Sequence, residues 1–472
     1  MHAPSSPYTS SAAPEGELRI GYLWCIAFVA ALGGLLFGYD WVVIGGAKPF
    51  YESYFHLNTA QVVGWANSCA LLGCFVGSLA AGPCSERLGR RKILLVAALL
   101  FAVSSVLTGW AFTFAGFVGW RITGGVAIGL ASNVSPLYIA EISPASWRGR
   151  LVSVNQLAIV VGILTAQIAN WQIADTIPRG MSAAAMHASW NVQYGWRWMF
   201  TAVAVPAVLL LLTAPLIPES PRWLAARGKN AEAGNVLRRI GGEEYSRVEV
   251  RSILRTLKSP SKVGQWRELF TSPARKMLLL GIALVVLQQG SGINILFNYA
   301  EEVYRSAGYG LNGILFDIVI TGAINLVFTV VAMLLVDRFG RRRLMLFGCL
   351  AIAASHFAAS FAYHAHLHGF WVLAITLCAI ACYAMSLAPV TWVLITEIFP
   401  NRVRASGVSI AVAALWVSSF LLTYTFPMLD HAVGASGSFL VYGSICVAGA
   451  VLVFFAVPET KGQALEEMET RV

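Results

Sequence analysis

The sequence predicts an all-α membrane protein whose twelve transmembrane helices form two pseudo-symmetric halves of six. The first observation is composition: 57% of the 472 residues are hydrophobic and only 12% are charged, too few to cover a water-facing surface. The second is that uncharged apolar runs of about 20 residues, the span of a bilayer core, recur along the chain. The third is that short charged motifs of the first half return in the second half.

The apolar runs set the order of the predicted elements. Residues 1–19 are rich in Ser, Pro and Ala and lack the basic start of a signal peptide, so we expect a disordered tail. An N-terminal half at 20–217 and a C-terminal half at 277–457 flank a polar helical linker at 218–276, and 458–472 form a second tail. The predicted segments are 20–45, 61–83, 93–113, 115–138, 152–172, 198–217, 277–300, 314–336, 344–363, 370–396, 405–427 and 437–457.

The matched charged motifs indicate a duplicated architecture. The stretches 86–91, 141–148 and 218–220 in the first half correspond to 337–342, 397–404 and 458–460 in the second. Opposite charges at matched positions predict ion pairs between the halves that hold one conformation closed. The alternative is that these charges serve only membrane topology. The residues concerned are Glu86, Arg87, Arg90, Arg91, Glu141, Arg148, Glu219, Asp337, Arg338, Arg341, Glu397, Arg404 and Glu459.

The distribution of basic residues predicts the orientation. The linker alone holds 13 Lys or Arg residues, and the alternate loops and both tails carry most of the others. Because cytoplasmic loops are rich in Lys and Arg, we expect both termini and the linker in the cytoplasm of a plasma or inner membrane. The net charge of +10 is therefore a topology signal and not a nucleic-acid surface. The exceptions among the 33 basic residues are Lys48, Arg121, Arg179, Arg197 and Arg305.

Two ionisable side chains within apolar segments stand out, Asp40 in the first segment and Arg121 in the fourth. Each costs roughly 2.5–3.5 kcal/mol at the centre of a membrane helix, so both are expected to face the interior and to pair with each other. A rearrangement that separates them would let the carboxylate take up a proton. The pattern predicts a two-state proton switch, and the alternative is a permanent ion pair that only joins two helices.

Amide and indole side chains also occur within the apolar segments. Amides both donate and accept hydrogen bonds, so together with indole faces they suit a neutral polyhydroxylated ligand, or else they join helices to each other. Gln289 and Asn294 come near one face if 290–292 bends the helix. The side chains of this kind are Gln156, Gln167, Gln288, Gln289, Asn294, Asn298, Asn325, Trp392 and Trp416.

Neither a metal site nor a cofactor is expected. The eight cysteines lie within or at the ends of apolar segments and are interpreted as small buried hydrophobic residues. Cys378 and Cys382 are four residues apart, but no third or fourth ligand lies nearby in the sequence. No cluster of acid, base and nucleophile occurs in the segments, so we do not expect an enzyme.

These motifs resemble the sugar porter family of the major facilitator superfamily over residues 20–465. The resemblance rests on Gly82 to Arg91, 218–223, Gln288 to Asn294 and 458–462. It is strongest to proton-coupled bacterial members, and segment five also resembles glucose facilitators. It implies the major facilitator fold and assigns Asp40 and Arg121 to proton coupling. It further implies sugar contacts for Gln156, Gln288, Gln289, Asn294 and Trp392, a cavity lining for Phe37, Asn325 and Trp416, and a gate at Asn298 and Tyr299.

Four positions depart from the family pattern. Ile163 and Leu415 stand where family members have amides, and Asn298 replaces one Tyr of a gating pair. Val203 stands where a proton-coupled member has a second carboxylate, which leaves Asp40 as the residue expected to couple the proton. The loss of two hydrogen-bonding side chains leaves the identity of the sugar open.

The sequence thus predicts a monomeric symporter that moves a hexose or pentose with a proton across the bilayer by alternating access. One alternative is an uncoupled uniporter of the same fold, in which Asp40 is only structural. The other is a transporter-like sugar sensor, a role that calls for a longer signalling tail than 458–472.

Overall fold

The computed structural model describes residues 18–177, 182–258, 269–270, 274–306, 311–367, 369–399 and 403–458. Within these ranges the chain is almost entirely helical and contains no β-strand. The all-α prediction is confirmed for this part of the chain. The two predicted tails lie almost wholly outside it.

The helices are numbered here in chain order. The N-terminal half contains α1 Ile20–Phe55, α2 Ala60–Leu88, α3 Arg90–Gly109, α4 Phe114–Ile142, α5 Ala145–Ile173, α6 Ala183–Ala188, α7 Trp196–Thr201 and α8 Ala204–Thr213. The linker contains α9 Pro221–Ala226 and α10 Asn230–Lys258. The C-terminal half contains α11 Ala274–Gly290, α12 Ile293–Asn298, α13 Ala300–Ser306, α14 Leu311–Phe339, α15 Arg341–His364, α16 Phe370–Met385, α17 Leu387–Glu397 and α18 Arg404–Ala456.

Eleven helical stretches of the described chain are long and apolar enough to cross a bilayer. The last, Ser406–Ala456, has 51 residues, whereas one crossing needs about 20. Its backbone leaves the helical region at Gly434, where φ is 70° and ψ is 173°. It therefore supplies two crossings, and the predicted fold of twelve spans is confirmed.

Three spans start or end well outside their predicted limits, and one of them is α5, which begins at Ala145 and not at 152. α1 continues past residue 45 to Phe55 and includes Lys48 and Glu52. The sixth span begins with a π-helical turn at Asn191–Gly195, ahead of the predicted start at 198. In α1 the extension stays inside the protein, because Lys48 is buried and pairs with Glu52 and Glu302.

Two other spans are broken in the middle. The seventh is divided into α11 and α12 at Gly292, whose φ of 78° lies in the left-handed region that glycine tolerates. The tenth is divided into α16 and α17 at Ser386. Breaks at membrane depth free backbone groups that side chains must satisfy, so polar residues collect around them.

Glycines let the helices of the N-terminal half approach closely. A Cβ atom at Gly38 of α1 would lie 1.9 Å from the carbonyl oxygen of Ile159 in α5, and one at Gly125 of α4 would lie 1.9 Å from that of Ala70 in α2. Such close backbone contacts supply the dispersion energy that holds helices together in lipid. The two halves meet where α1 packs on α12, α2 on α18 and α5 on α14.

Candidate functional site

Asp40 of α1 and Arg121 of α4 form an ion pair inside the N-terminal half. Arg121 Nη1 donates to Asp40 Oδ1 over 2.9 Å, and each residue is only 3% exposed. Arg121 also lies over the ring of Phe200, 5.3 Å from its centroid. Asp40 Oδ2 is buried and has no hydrogen-bond partner among the described residues. One oxygen of the carboxylate is thus held by the guanidinium while the other is available for a proton.

A small cavity of about 10 Å³ borders this ion pair. Its lining includes Arg121 and Asn67 from the N-terminal half and Asn298 from the C-terminal half, so it lies where the halves meet. That volume accommodates about one water molecule. It is far too small for a monosaccharide.

The break between α11 and α12 brings three buried amide side chains together. Gln288 Nε2 donates to the carbonyl of Leu387 at the break between α16 and α17, over 3.3 Å. Asn294 Nδ2 donates to Gln289 Oε1 and, over 3.0 Å, to Ser419 Oγ of α18. Gln288 is therefore bonded to the break of the tenth span, whereas Gln289 and Asn294 form a separate pair that reaches α18.

An aromatic contact joins the halves next to these amides. Phe37 of α1 and Trp416 of α18 meet edge to face with ring centroids 6.0 Å apart. Trp416 is buried, and its Nε1 has no hydrogen-bond partner among the described residues. A buried donor without an acceptor costs about 1–3 kcal/mol. A hydroxyl oxygen of a ligand can accept a hydrogen bond from such a donor.

The other residues predicted to contact the sugar differ in their burial and hydrogen bonding. Asn325 of α14 is buried and Gln156 of α5 is half-buried, and neither forms a side-chain hydrogen bond within the described chain. Trp392 of α17 is 39% exposed. Gln167 donates over 3.4 Å to Thr321 of α14, so for this amide the structure shows a bond between helices of the two halves.

On the side away from the linker the halves are joined by polar contacts. Lys48 of α1 is 2% exposed and forms ion pairs with Glu52 of α1 and with Glu302 of α13. Its ammonium also lies 5.2 Å from the centroid of the Tyr299 ring. The Tyr299 hydroxyl donates to the carbonyl of Thr423 in α18 over 2.7 Å.

Close backbone contacts seal the same side. A Cβ atom at Gly45 would lie 2.5 Å from the carbonyl oxygen of Phe297, and one at Gly64 would lie 2.2 Å from that of Tyr424. Tyr299 and Asn298 are completely or almost completely buried, whereas Trp392 and Gln156, nearer the linker side, are accessible. The path between the halves is therefore closed on the side of Lys48.

The charged motifs at the linker side form pairs within the N-terminal half. Arg90 Nη2 donates to Glu141 over 2.8 Å, and the backbone N–H groups of Arg90 and Arg91 donate to Glu219 over 2.9 and 3.2 Å. Backbone carbonyls of Glu86 and Arg87 accept from the side chain of Arg227 in the linker. These contacts tie the half to the linker.

The corresponding motif of the C-terminal half pairs Arg341 with Glu397 over 3.4 Å. Arg148 and Arg404 each donate to a nearby backbone carbonyl, over 3.1 and 3.2 Å. The side chains of Asp337 and Arg338, and the whole of Glu459, lie outside the described residues. In the described part of the chain none of these charges pairs across the halves, so their role as bridges between halves stays a prediction.

The structure buries five further ionisable residues to which the sequence analysis gave no role in a site, Lys48, Arg197, Glu301, Asp317 and His356. Asp317 of α14 and His356 of α15 lie within predicted segments, and Lys48 lies beyond the predicted end of the first. Asp317 and His356 could have been found from the sequence, because each is an ionisable residue within an apolar run. For Lys48 the signal was lacking, because its burial depends on how α1 meets α13.

Twelve spans in two halves, a buried ion pair and buried amides at helix breaks define a multi-pass membrane transporter with a central site. The chain belongs to the family described as "Sugar (and other) transporter", whose model matches residues 26–471. This confirms the resemblance to the sugar porters of the major facilitator superfamily.

Two relatives match along nearly their whole length. The chain is 39% identical to the D-xylose-proton symporter of Escherichia coli (strain K12), with 96% of each chain covered. It is 36% identical to the glucose transport protein of Synechocystis sp., with 99% of this chain and 100% of the relative covered. Among solved structures, the inward open conformation of the xylose transporter XylE from E. coli aligns with a TM-score of 0.84 and 37% identity, covering 95% of this chain and 99% of that one.

Proposed function

We propose that this protein is a proton-coupled monosaccharide symporter that works by alternating access. The observation that carries the proposal is the buried Asp40–Arg121 pair, in which one carboxylate oxygen has no partner in the described chain. The names of the relatives, a D-xylose-proton symporter and a glucose transport protein, support a pentose or hexose as the substrate.

In the proposed cycle a proton from outside binds Oδ2 of Asp40 and neutralises the carboxylate. The attraction between opposite charges is then lost, although the guanidinium of Arg121 can still donate a hydrogen bond to the neutral carboxyl group. Asp40 and Lys48 lie on the same helix, eight residues or about 12 Å apart along its axis. A small movement of α1 at Asp40 is thus transmitted to the contact between Lys48 and the C-terminal half.

The proposed sugar site lies between the halves. Gln156 contacts the sugar from the N-terminal half, and Gln288, Gln289, Asn294 and Trp392 contact it from the C-terminal half. Amides that donate and accept match sugar hydroxyls, which do both. Phe37, Asn325 and Trp416 line this proposed sugar site, and Asn298 and Tyr299 form part of its outer gate.

We further propose that residues 20–217 and 277–457 move as two bodies joined by the linker at 218–276. Both termini lie in the cytoplasm of a plasma or inner membrane, and a single chain is sufficient for transport. The abundance of basic residues at the linker side supports this orientation. With Lys48 and Glu302 in contact, the structure described here corresponds to an inward-facing member of the cycle.

Purified protein in proteoliposomes tests the proposal with radiolabelled D-xylose and D-glucose. A symporter accumulates one of these sugars above equilibrium when a proton gradient is imposed, and sugar addition makes the external medium more alkaline. Equilibration without accumulation or alkalinisation would identify the uncoupled uniporter. No movement of either sugar would refute the proposal for these substrates.

A further inference from the structure

We propose that His356 is a positioning residue for sugar binding, because it holds the break between α11 and α12 in the geometry that aligns Gln289 with Asn294. This inference rests on the proposed function, since sugar binding is the activity that the break serves.

The break leaves the backbone carbonyl of Ser291 without its helical partner. In a continuous helix the carbonyl of Ser291 would accept from the N–H of Ile295. That N–H donates instead to the carbonyl of Gly292 over 3.0 Å. At membrane depth no solvent replaces the missing donor, and an unsatisfied group is costly.

The imidazole of His356 donates to this carbonyl from α15, and the Cys446 thiol approaches the same oxygen at 4.0 Å. The imidazole Nε2 lies 2.7 Å from the carbonyl oxygen of Ser291, and since a carbonyl only accepts, Nε2 carries the hydrogen. The residue is 2% exposed. Its ring lies 5.6 Å from that of Phe439 and 6.2 Å from that of Tyr442, which restrict its orientation.

The contact leaves little room for the break to move. A Cβ atom at Gly292 would lie 3.0 Å from Tyr442 Cγ and 3.3 Å from His356 Nε2. Together with the left-handed φ of 78°, this requires glycine at the position. The imidazole therefore fixes both the direction of the Ser291 carbonyl and the space beside the hinge.

The break separates the residues that contact the proposed sugar. Gln288 and Gln289 end α11, Asn294 lies in the first turn of α12, and the hydrogen bond from Asn294 to Gln289 crosses the break. If the Ser291 carbonyl turns away from His356, these side chains lose their relative positions. Small displacements of binding groups reduce affinity strongly, because each hydrogen bond depends on distance and angle.

Three variants of the purified full-length chain test the role. His356→Leu removes the donor, His356→Gln keeps an N–H donor with similar reach, and His356→Asn keeps a polar side chain that is too short. Ser360→Ala is the matched control, because Ser360 lies on the same helix and contacts Ser436 of α18 over 3.1 Å. The readouts are the Kd for D-xylose and D-glucose by isothermal titration calorimetry, and the Tm.

We expect His356→Leu and His356→Asn to weaken binding of the preferred sugar about tenfold, about the loss of one satisfied buried group. His356→Gln should remain within about threefold of the wild type, and Ser360→Ala should change only the Tm. The role is overturned if folded His356→Leu or His356→Asn binds with wild-type affinity, or if His356→Gln fails as badly as they do. A wild-type protein that binds neither sugar would instead refute the proposed function.

Discussion

Lys48 and Glu302 join the two halves of the protein through an ion pair on the side opposite the linker. All other ion pairs within the described chain lie inside one half or inside the linker. Since Lys48 is on the helix that carries Asp40, the proton site and the outer contact share one rigid element.

Replacement of Lys48 by Gln should shift the protein towards conformations that are open on the Lys48 side. The change removes the cation that Glu52 and Glu302 share, so repulsion between these two carboxylates increases in the closed state. We expect a shift of at least about fivefold in the equilibrium, about 1 kcal/mol. Hydrogen–deuterium exchange in α12 and in the outer end of α1 should be faster.

Arg305→Gln is the control for this prediction, because the Arg305–Glu301 pair lies within α13 and does not join the halves. The double variant Lys48→Glu with Glu302→Lys should recover part of the protection by restoring opposite charges. Exchange rates in Lys48→Gln that match those of Arg305→Gln would show that the ion pair does not hold this side closed.

Asp40→Asn should abolish proton-driven accumulation of sugar but leave exchange of sugar across the membrane. An amide cannot take up the proton, yet it can still accept a hydrogen bond from Arg121 at the same position. We expect the accumulation ratio to fall to about one, because a carrier without a coupled ion cannot move its substrate uphill. Counterflow and gradient-driven uptake in proteoliposomes measure the two activities separately.

The exposed carboxylate of Asp175 offers the matched control, and Asp175→Asn should accumulate sugar like the wild type. Since the change leaves the buried guanidinium of Arg121 without a counter-charge, the Tm of Asp40→Asn must be recorded as well. Persistent accumulation in a folded Asp40→Asn protein would contradict the coupling role.

Trp416→Phe should weaken sugar binding without lowering stability. The indole N–H has no partner in the described chain, so its loss costs the folded protein nothing, whereas a sugar hydroxyl loses a donor. One hydrogen bond contributes about 0.5–1.5 kcal/mol, so the Kd should rise by about two- to tenfold. Calorimetric titration and a thermal unfolding scan give both values.

Trp196→Phe is the control, because it should lower stability and leave sugar binding unchanged. Its Nε1 donates to the carbonyl of Val192 over 2.8 Å and its side chain is fully buried in the sixth span. That variant should unfold at a lower temperature and bind sugar normally. Equal Kd values for Trp416→Phe and the wild type would remove Trp416 from the proposed site.

Gly64→Ala should block closure of the side that carries Lys48. The added Cβ would lie 2.2 Å from the carbonyl oxygen of Tyr424, and neither backbone can yield without opening the contact between α2 and α18. We expect net uptake to fall by at least about tenfold, which requires only about 1.4 kcal/mol against the closed state. Sugar binding itself should be retained.

Gly82 on the same helix is the matched position, since a Cβ there meets no atom within 4 Å. Gly82→Ala should transport normally and gain up to about 1 kcal/mol of stability through a less flexible unfolded chain. If Gly64→Ala transports as well as Gly82→Ala, close approach at Gly64 is not needed for the cycle.

The spans, the duplication and the importance of Asp40 and Arg121 follow from the sequence because each is a local property. Hydropathy is determined by the residues of one segment, and a charge in a membrane helix needs a partner wherever that helix packs. The bend between Gln289 and Asn294 was also visible, as glycines at 290 and 292.

Contacts between the two halves could not be predicted from the sequence. The matched charges at the linker side suggested pairs between the halves, yet the described pairs Arg90–Glu141 and Arg341–Glu397 lie within halves. The ion pair that does join the halves involves Lys48, which lies outside the predicted apolar segments. Both results depend on which helix faces meet in this conformation.

The sequence by itself determined a twelve-span transporter with one buried acid and one buried base, because transfer into lipid penalises every unpaired polar group along the chain. Only the tertiary structure decided that Lys48 closes one side and that His356 satisfies the broken helix at Ser291. Those contacts join residues far apart in sequence, and their energies exist only after the helices have packed.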